Sequence, residues 1–185
     1  MKALKLKMKN FGPYKDAEAD FTKFSEAPLF LITGATGSGK TTIFDAMCFA
    51  LYGQSSTDKD RNVFLLRSDF VEGCKEKTEV ELTFSHQGKE YTVNRSFYQT
   101  KGNKEKGEFT KKASLRYQDE NGTSIELTKL NEINIKVTSL LNLNAEQFSK
   151  IIVLPQGKFK EFLMSDSSKK EKTLSQIFGT DFYDD

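Results

Sequence analysis

Tryptophan is absent from this sequence, and histidine (one), cysteine (two) and proline (three) are scarce among its 185 residues. A single histidine and two cysteines without a shared spacing cannot build a zinc site or a disulfide framework. Cys48 falls in an apolar helical pattern, where a buried, inert thiol is expected, and Cys74 lies in a polar stretch. That usage points to a reducing, cytosolic compartment. Long apolar runs are missing too. Leu29 to Ile32 and Ile151 to Leu154 are far too short to cross a bilayer, and Met1 to Lys7 alternates apolar and basic residues instead of forming a signal peptide's apolar core. No membrane partner is expected. Nor does charge of one sign dominate: 28 Lys and Arg stand against 26 Asp and Glu, a net +2. Any nucleic-acid surface would have to come from local clustering. What the chain does have is 16 phenylalanines and enough length to bury the core of one domain, with or without an appended piece.

Period-two alternation from Lys2 to Asn10 predicts a half-buried strand, with Leu4, Leu6 and Met8 on one face. Gly12-Pro13 breaks it, and Ala17 to Phe21 can pair back as a hairpin arm. The unbroken run Pro28 to Thr33 suits a strand buried on both faces, as at the centre of a parallel sheet. Thr41 to Tyr52 is a helix apolar almost all round, stopped by Gly53. From Gln54 to Glu76 the pattern weakens to loop with a short helical patch. Two hairpins follow, Val80–Phe84 with Tyr91–Arg95 around Gln87-Gly88, and Ala113–Gln118 with Ser124–Leu127 around Asn121-Gly122. The second carries the type I′ signal. Thr100 to Lys112 between them, rich in lysine and glycine, is expected to be a mobile, solvated loop. Leu130–Leu141 and Ala145–Ile151 are helical, Pro155-Gln156-Gly157 interrupts, and Lys158–Met164 is helical again. Ser168 and Glu171 make a capping box for a last helix with Leu174 and Ile177.

Gly34-Ala35-Thr36-Gly37-Ser38-Gly39-Lys40-Thr41 matches the phosphate-binding P-loop, or Walker A motif, in full. A buried strand before it and a buried helix after it are the context that motif requires. Glycines let successive N–H groups turn inward toward phosphate oxygens, and the following helix adds its dipole and its unpaired donors. ATP and Mg²⁺ are therefore the expected cofactors. Residues 34–42 (Gly34, Ala35, Thr36, Gly37, Ser38, Gly39, Lys40, Thr41 and Thr42) are expected to bind the nucleotide. Lys40 would meet the β- and γ-phosphates, and the Thr41 hydroxyl would ligate the metal. A P-loop hydrolase also needs an acid at the end of an apolar strand. Phe64 to Asp69 is interrupted by Arg67, and the acids after Leu115 to Gln118 read as turn residues. No second-nucleotide signature of the serine-glycine-glycine kind exists, so the chain reads as half of a catalytic unit.

With that gap, the order of the remaining motifs resembles the SbcC family of SMC-like ABC ATPases, in its N-terminal head segment. The resemblance rests on Lys9-Asn10-Phe11-Gly12-Pro13-Tyr14, the P-loop, Phe44-Asp45-Ala46-Met47 through Ala50-Leu51-Tyr52-Gly53, and Gln147-Phe148. It continues through Val153-Leu154-Pro155-Gln156-Gly157-Lys158-Phe159, Phe162-Leu163 and Ile177-Phe178-Gly179-Thr180, and it leaves only Thr100–Lys112 unmatched. It implies an α/β P-loop NTPase, an ABC-type ATPase head lobe with an antiparallel β-hairpin subdomain and a C-terminal helical part leading to a coiled coil. Residues 1–165 would be the lobe and 166–185 the helix at the start of the coil. It further implies that Gln156 is the Q-loop glutamine, a catalytic group on Mg²⁺ that senses the γ-phosphate. From its residue type alone, Gln156 is equally a polar residue in a turn. Gly12 stands where some relatives carry a phosphate-contacting arginine, so no such contact is carried over.

The implied partners are the SbcD nuclease subunit, the C-terminal half of the same head, a second head, and double-stranded DNA. The setting would be the cytoplasm, at the nucleoid. The implied work is DNA repair and recombination within an exonuclease complex, with ATP hydrolysis gating the nuclease and this segment alone nearly inactive. For DNA the basic candidates are Lys101, Lys104, Lys106, Lys111, Lys112 and Arg116, against the alternative of a loop whose charge serves solubility. A stand-alone P-loop kinase or an ABC-transporter nucleotide-binding domain would share the loop but would carry its acidic strand within the chain.

Overall fold

The computed structural model describes residues 1–24, 31–55, 63–71, 76–101, 108–149 and 166. The alternating apolar and lysine positions of the N-terminus form strand β1, Lys2–Phe11, with Leu6 and Met8 buried and Lys7 and Lys9 exposed. Strand β2, Tyr14–Asp20, folds back across Gly12-Pro13 as expected. Four further strands are β3, Thr78–His86, β4, Lys89–Lys101, β5, Glu108–Gln118, and β6, Ser124–Leu127. They make one antiparallel sheet in the order β2-β1-β3-β4-β5-β6.

The two hairpins fall where the sequence puts them, but their turn chemistry is exchanged. Gln87 (φ 51°) and Gly88 (φ 76°) both lie in the left-handed region, which makes the β3–β4 connection the type I′ turn. At Asn121-Gly122 only the glycine is left-handed. There the Asp119 carboxylate accepts hydrogen bonds from the Asn121 and Thr123 amides, each 2.8 Å, and this local capture takes over the turn. The solvated loop expected at Thr100–Lys112 is also shorter than its composition suggested. β4 runs to Lys101 and β5 begins at Glu108, with Gln99 opposite Phe109. Phe109 is the reason: its ring stacks on Phe64 at 3.8 Å, anchoring the lysine-rich stretch by its aromatic residue.

Helix α1, Lys40–Tyr52, crosses the inner face of the sheet against β1, β3 and β4. Its apolar character buries Ala46, Cys48, Phe49, Ala50, Leu51 and Tyr52, and Gly53 caps it with a bond from its amide to the Phe49 carbonyl (2.8 Å). Helix α2, Leu130–Leu141, lies on β5 through buried Ile133 and Val137. Helix α3, Ala145–Phe148, starts at a capping box between Asn144 and Gln147 and buries Phe148 against Tyr52. The core joins Leu6, Met8 and Phe11 to Val80, Leu82 and Phe84, Val93 and Phe97, and Leu115, with α1 above them. Among the described residues, helices cover one face only. The other face is a mosaic of paired charges: Lys5 with Glu18 (3.1 Å), Lys7 with Glu81 (3.1 Å) and Arg116 with Glu81 (3.5 Å).

The fold departs from the sequence reading at the segment before the P-loop. Of the strand expected at Pro28–Thr33, residues 31–33 are described and are not in a strand, and Leu31 is 84% exposed. A strand covered on both faces needs a neighbour on each side. Among the described residues every strand pairs antiparallel within the sheet already given, so none flanks this segment. The Val63–Leu66 stretch makes a 3₁₀ turn, the short helical patch foreseen there. Gln156 and its Pro-Gln-Gly segment, the 158–164 helix, the final helix with its capping box, and Cys74 lie outside the described residues.

Candidate phosphate-binding site

The P-loop bends from Gly34 to Gly39 and opens directly into α1, whose N-cap is Gly39 at φ 90°. No side chain caps that helix end. The first amides of a helix have no intrahelical acceptor, so those of Lys40, Thr41 and Thr42 stay available to an anion. Within the loop, Ser38 donates its amide to the Ala35 carbonyl at 3.2 Å. The Lys40 side chain folds over the loop, its Nζ donating to the carbonyls of Gly34 (2.8 Å) and Ala35 (2.7 Å). The ammonium is therefore held above the same bend that the helix amides border. Gly37, also left-handed, has open space on its Cβ side. Residues 33–38 and 41 are exposed, and 39, 40 and 42 are half-buried.

This donor set suits a polyphosphate chelating a divalent cation. Amides and an ammonium match anionic oxygens, and a threonine hydroxyl at the helix start is a hard oxygen ligand. Of the nine residues expected to bind nucleotide, 34–39 form the bend and 40–42 the first turn of α1. Gln156 is not among the described residues, so nothing joins it to Lys40 or Thr41. The acidic candidates are equally plain. Asp69 is exposed after a 3₁₀ turn, and Asp119 serves its own hairpin turn. Asp45 is buried on α1, where its Oδ1 accepts from the Ser55 hydroxyl at 3.0 Å.

Two supports of the site escaped the sequence reading. The first is Arg95 on β4, which projects from the inner face among apolar residues and is 4% exposed. Its Nε donates to the Ala50 carbonyl (2.7 Å) and its Nη2 to the Leu51 carbonyl (2.9 Å) and Asn134 Oδ1 (2.6 Å). These are carbonyls at the C-terminal end of α1, where positive charge opposes the helix dipole. Burial pulls the guanidinium down to about 10, so it remains charged at neutral pH. The period-two position of Arg95 between Val93 and Phe97 was the available signal. The second support is the β1–β2 turn, whose Pro13 and Tyr14 abut Gly39.

The basic candidates for DNA do not share one face. Lys111 turns inward and places its Nζ 4.9 Å from the centre of the Phe64 ring, whereas Arg116 joins Glu81 on the outer face. Lys104 and Lys106 lie outside the described residues. Among the described residues no cluster of His, Cys, Asp or Glu could hold a metal ion by itself, and no helix is long and apolar enough to cross a membrane.

The family model for an AAA domain matches residues 5–184. The chain belongs to the AAA domain family. As an AAA domain it is similar to the SbcC component of the SbcCD nuclease of Vibrio cholerae, 39% identical over 187 residues that cover 99% of this chain and 18% of that protein. The SbcC protein of Staphylococcus saprophyticus is 39% identical over 186 residues, covering 100% of this chain and 18% of the relative. That of Lactococcus lactis is 38% identical over 189 residues, covering 97% and 18%. The SbcC resemblance drawn from the motifs is borne out, and the chain spans 18% of the length of these curated relatives. A structure solved for work on ATP-driven dimerization and DNA-stimulated activation of SMC ATPases superposes with a TM-score of 0.51 at 19% identity, covering 96% of this AAA domain and 99% of that chain. The shared property at that identity is the fold: a P-loop ATPase head lobe with an antiparallel sheet.

Proposed function

We propose that this chain is the ATP-binding half of an SbcC-type ATPase head, and that its P-loop takes MgATP. The observation that carries the reading is the uncapped start of α1 at Gly39, with the Lys40 ammonium held over the bend. In the proposal residues 34–42 hold the nucleotide, and the amides of Lys40, Thr41 and Thr42 with the Lys40 ammonium bind and orient the phosphates. Thr41 supplies a metal ligand, and Gln156 joins it from the Pro-Gln-Gly segment. Magnesium, when bound, neutralises charge on the triphosphate. The exposed Leu31 supports a head completed by further strands, because an apolar residue leading into a P-loop belongs in a covered sheet.

At the level of the whole protein, the proposal is that two heads close on ATP and reopen on hydrolysis, gating an SbcD-type nuclease on double-stranded DNA in the cytoplasm, at the nucleoid. Residues 1–165 form the lobe and 166–185 lead into the coiled coil. DNA contact by Lys101, Lys112 and the neighbouring lysines would be non-specific and salt-sensitive.

The test is reconstitution. This chain alone should bind ATP weakly and hydrolyse almost none, and adding the C-terminal head segment should restore turnover. In the joined head Lys40→Ala should abolish nucleotide binding, whereas Gln156→Ala should keep most binding and lose hydrolysis. Robust hydrolysis by the chain alone, or equal loss of binding from both substitutions, overturns the reading.

A further inference from the structure

The β1–β2 turn belongs to the phosphate site although none of its residues lies in the P-loop. The Tyr14 hydroxyl donates to the Gly39 carbonyl at 3.1 Å. That carbonyl and the Lys40 amide belong to one planar peptide unit, and in a trans peptide they point in opposite directions. Whatever fixes the oxygen also fixes the donor. A Cβ built on Gly39 would lie 2.5 Å from Pro13 Cγ and 2.9 Å from the Tyr14 hydroxyl, so the turn is seated on the backbone itself. One residue past Thr41 the same turn makes a second contact: a Cβ on Gly12 would meet the Thr42 methyl at 2.6 Å. Lys40 and Thr41, the two residues charged with phosphate and metal, are thus bracketed by contacts from one turn.

The brace is anchored from behind. The buried Ser68 hydroxyl lies 2.5 Å from the Gly12 carbonyl and 3.2 Å from the Tyr14 carbonyl, between which its one proton is shared, and its amide donates to the Asn10 carbonyl (2.9 Å). The Gly12 amide reaches the Leu66 carbonyl at 2.6 Å. A turn tied at several backbone atoms cannot swing away when the loop is loaded. Burial raises the Tyr14 phenol above its ordinary value, so it stays a protonated donor across the neutral range.

We propose that Tyr14 is a positioning residue of the phosphate site: its hydroxyl, braced through Ser68, aims the Lys40 amide at bound phosphate. The proposal rests on the MgATP reading above. Tyr14 acts through the backbone and touches no reacting atom. Its effect belongs to affinity for any nucleotide that fills the loop, ATP and ADP alike, and not to the chemical step.

The experiment compares Tyr14→Phe with wild type in the complete protein that carries this chain. Equilibrium titration with MgATP and MgADP is set beside kcat and the thermal midpoint. Tyr14→Phe keeps the ring on Gly39 and removes only the donor, so the fold is retained. Affinity for both nucleotides should fall about fivefold, in proportion to one lost hydrogen bond, with kcat changed less than about twofold and the midpoint held. Ser68→Ala, which loosens the anchor, should move affinity in the same direction by a smaller factor. Unchanged affinity in Tyr14→Phe overturns the proposal, and so does an affinity loss accounted for by a lower midpoint or by kcat. A wild-type protein that binds no MgATP sinks the proposed function and this proposal together. Wild-type binding with an indifferent Tyr14→Phe sinks this one alone.

Discussion

Arg95 shows how a charged side chain can be a structural necessity in an apolar layer. Its donors meet two helix carbonyls and the Asn134 amide oxygen, and removing it strips the two buried carbonyls of these bonds. Arg95→Met is expected to lower stability by about 2–4 kcal/mol, the usual cost of stripping several buried hydrogen bonds. The urea midpoint should shift accordingly, and Asn134→Ala should cost less, since it removes only one of the three. Cys48 lies at the opposite extreme of reactivity. Burial first, and the nearby Asp45 charge second, push its thiol up to about 12. The unfolded thiol titrates near 8.5. Its contribution to stability is therefore complete below about pH 8.5 and is lost as pH rises toward 12. In a Cys74→Ser background the remaining thiol should resist a disulfide reagent at pH 8 and react at full rate in denaturant. Rapid labelling of the folded protein would contradict the burial described.

At the scale of elements, the β3–β4 turn offers a direct test of local conformation. Gln87 occupies the first left-handed position of a type I′ turn, a place that favours asparagine. Gln87→Asn should raise stability by about 0.5 kcal/mol, measured as a higher denaturation midpoint with no change in nucleotide affinity. The elements also show what was legible. The alternation of leucine and lysine in β1, the apolar α1 and the P-loop spelling are local signals, and each formed its expected element. The Pro28–Thr33 strand depends on neighbours that a linear pattern does not contain, and the described part of it has none. Phe109 drew β5 into a stretch whose lysines read as loop, because one aromatic contact outweighs several solvated charges. Arg95 was invisible for a related reason: a cation in a strand reads as solvent-facing until the helix end beneath it is known.

At the scale of the molecule, the described helices all lie on one face of the sheet. On the other face Glu81 of β3 takes Lys7 from β1 and, across β4, Arg116 from β5. Pairs of this exposure contribute at most about 1 kcal/mol each and are screened by salt. Their effect is to weaken one another's field locally. The glycine-rich bend leading into α1 was legible because it is contiguous in sequence, whereas the contacts of Tyr14 with Gly39 and of Ser68 with Gly12 join distant parts of the chain.

The guanidinium at the far end of α1 changes how that helix looks from a distance. An ordinary helix carries equal and opposite partial charges at its poles, and their fields largely cancel a few turns away. Here the negative pole is covered by a full positive charge, so its field no longer opposes that of the open amides about 20 Å away at the other pole. An incoming multiply charged anion meets the amides of the first turn with that opposing field removed.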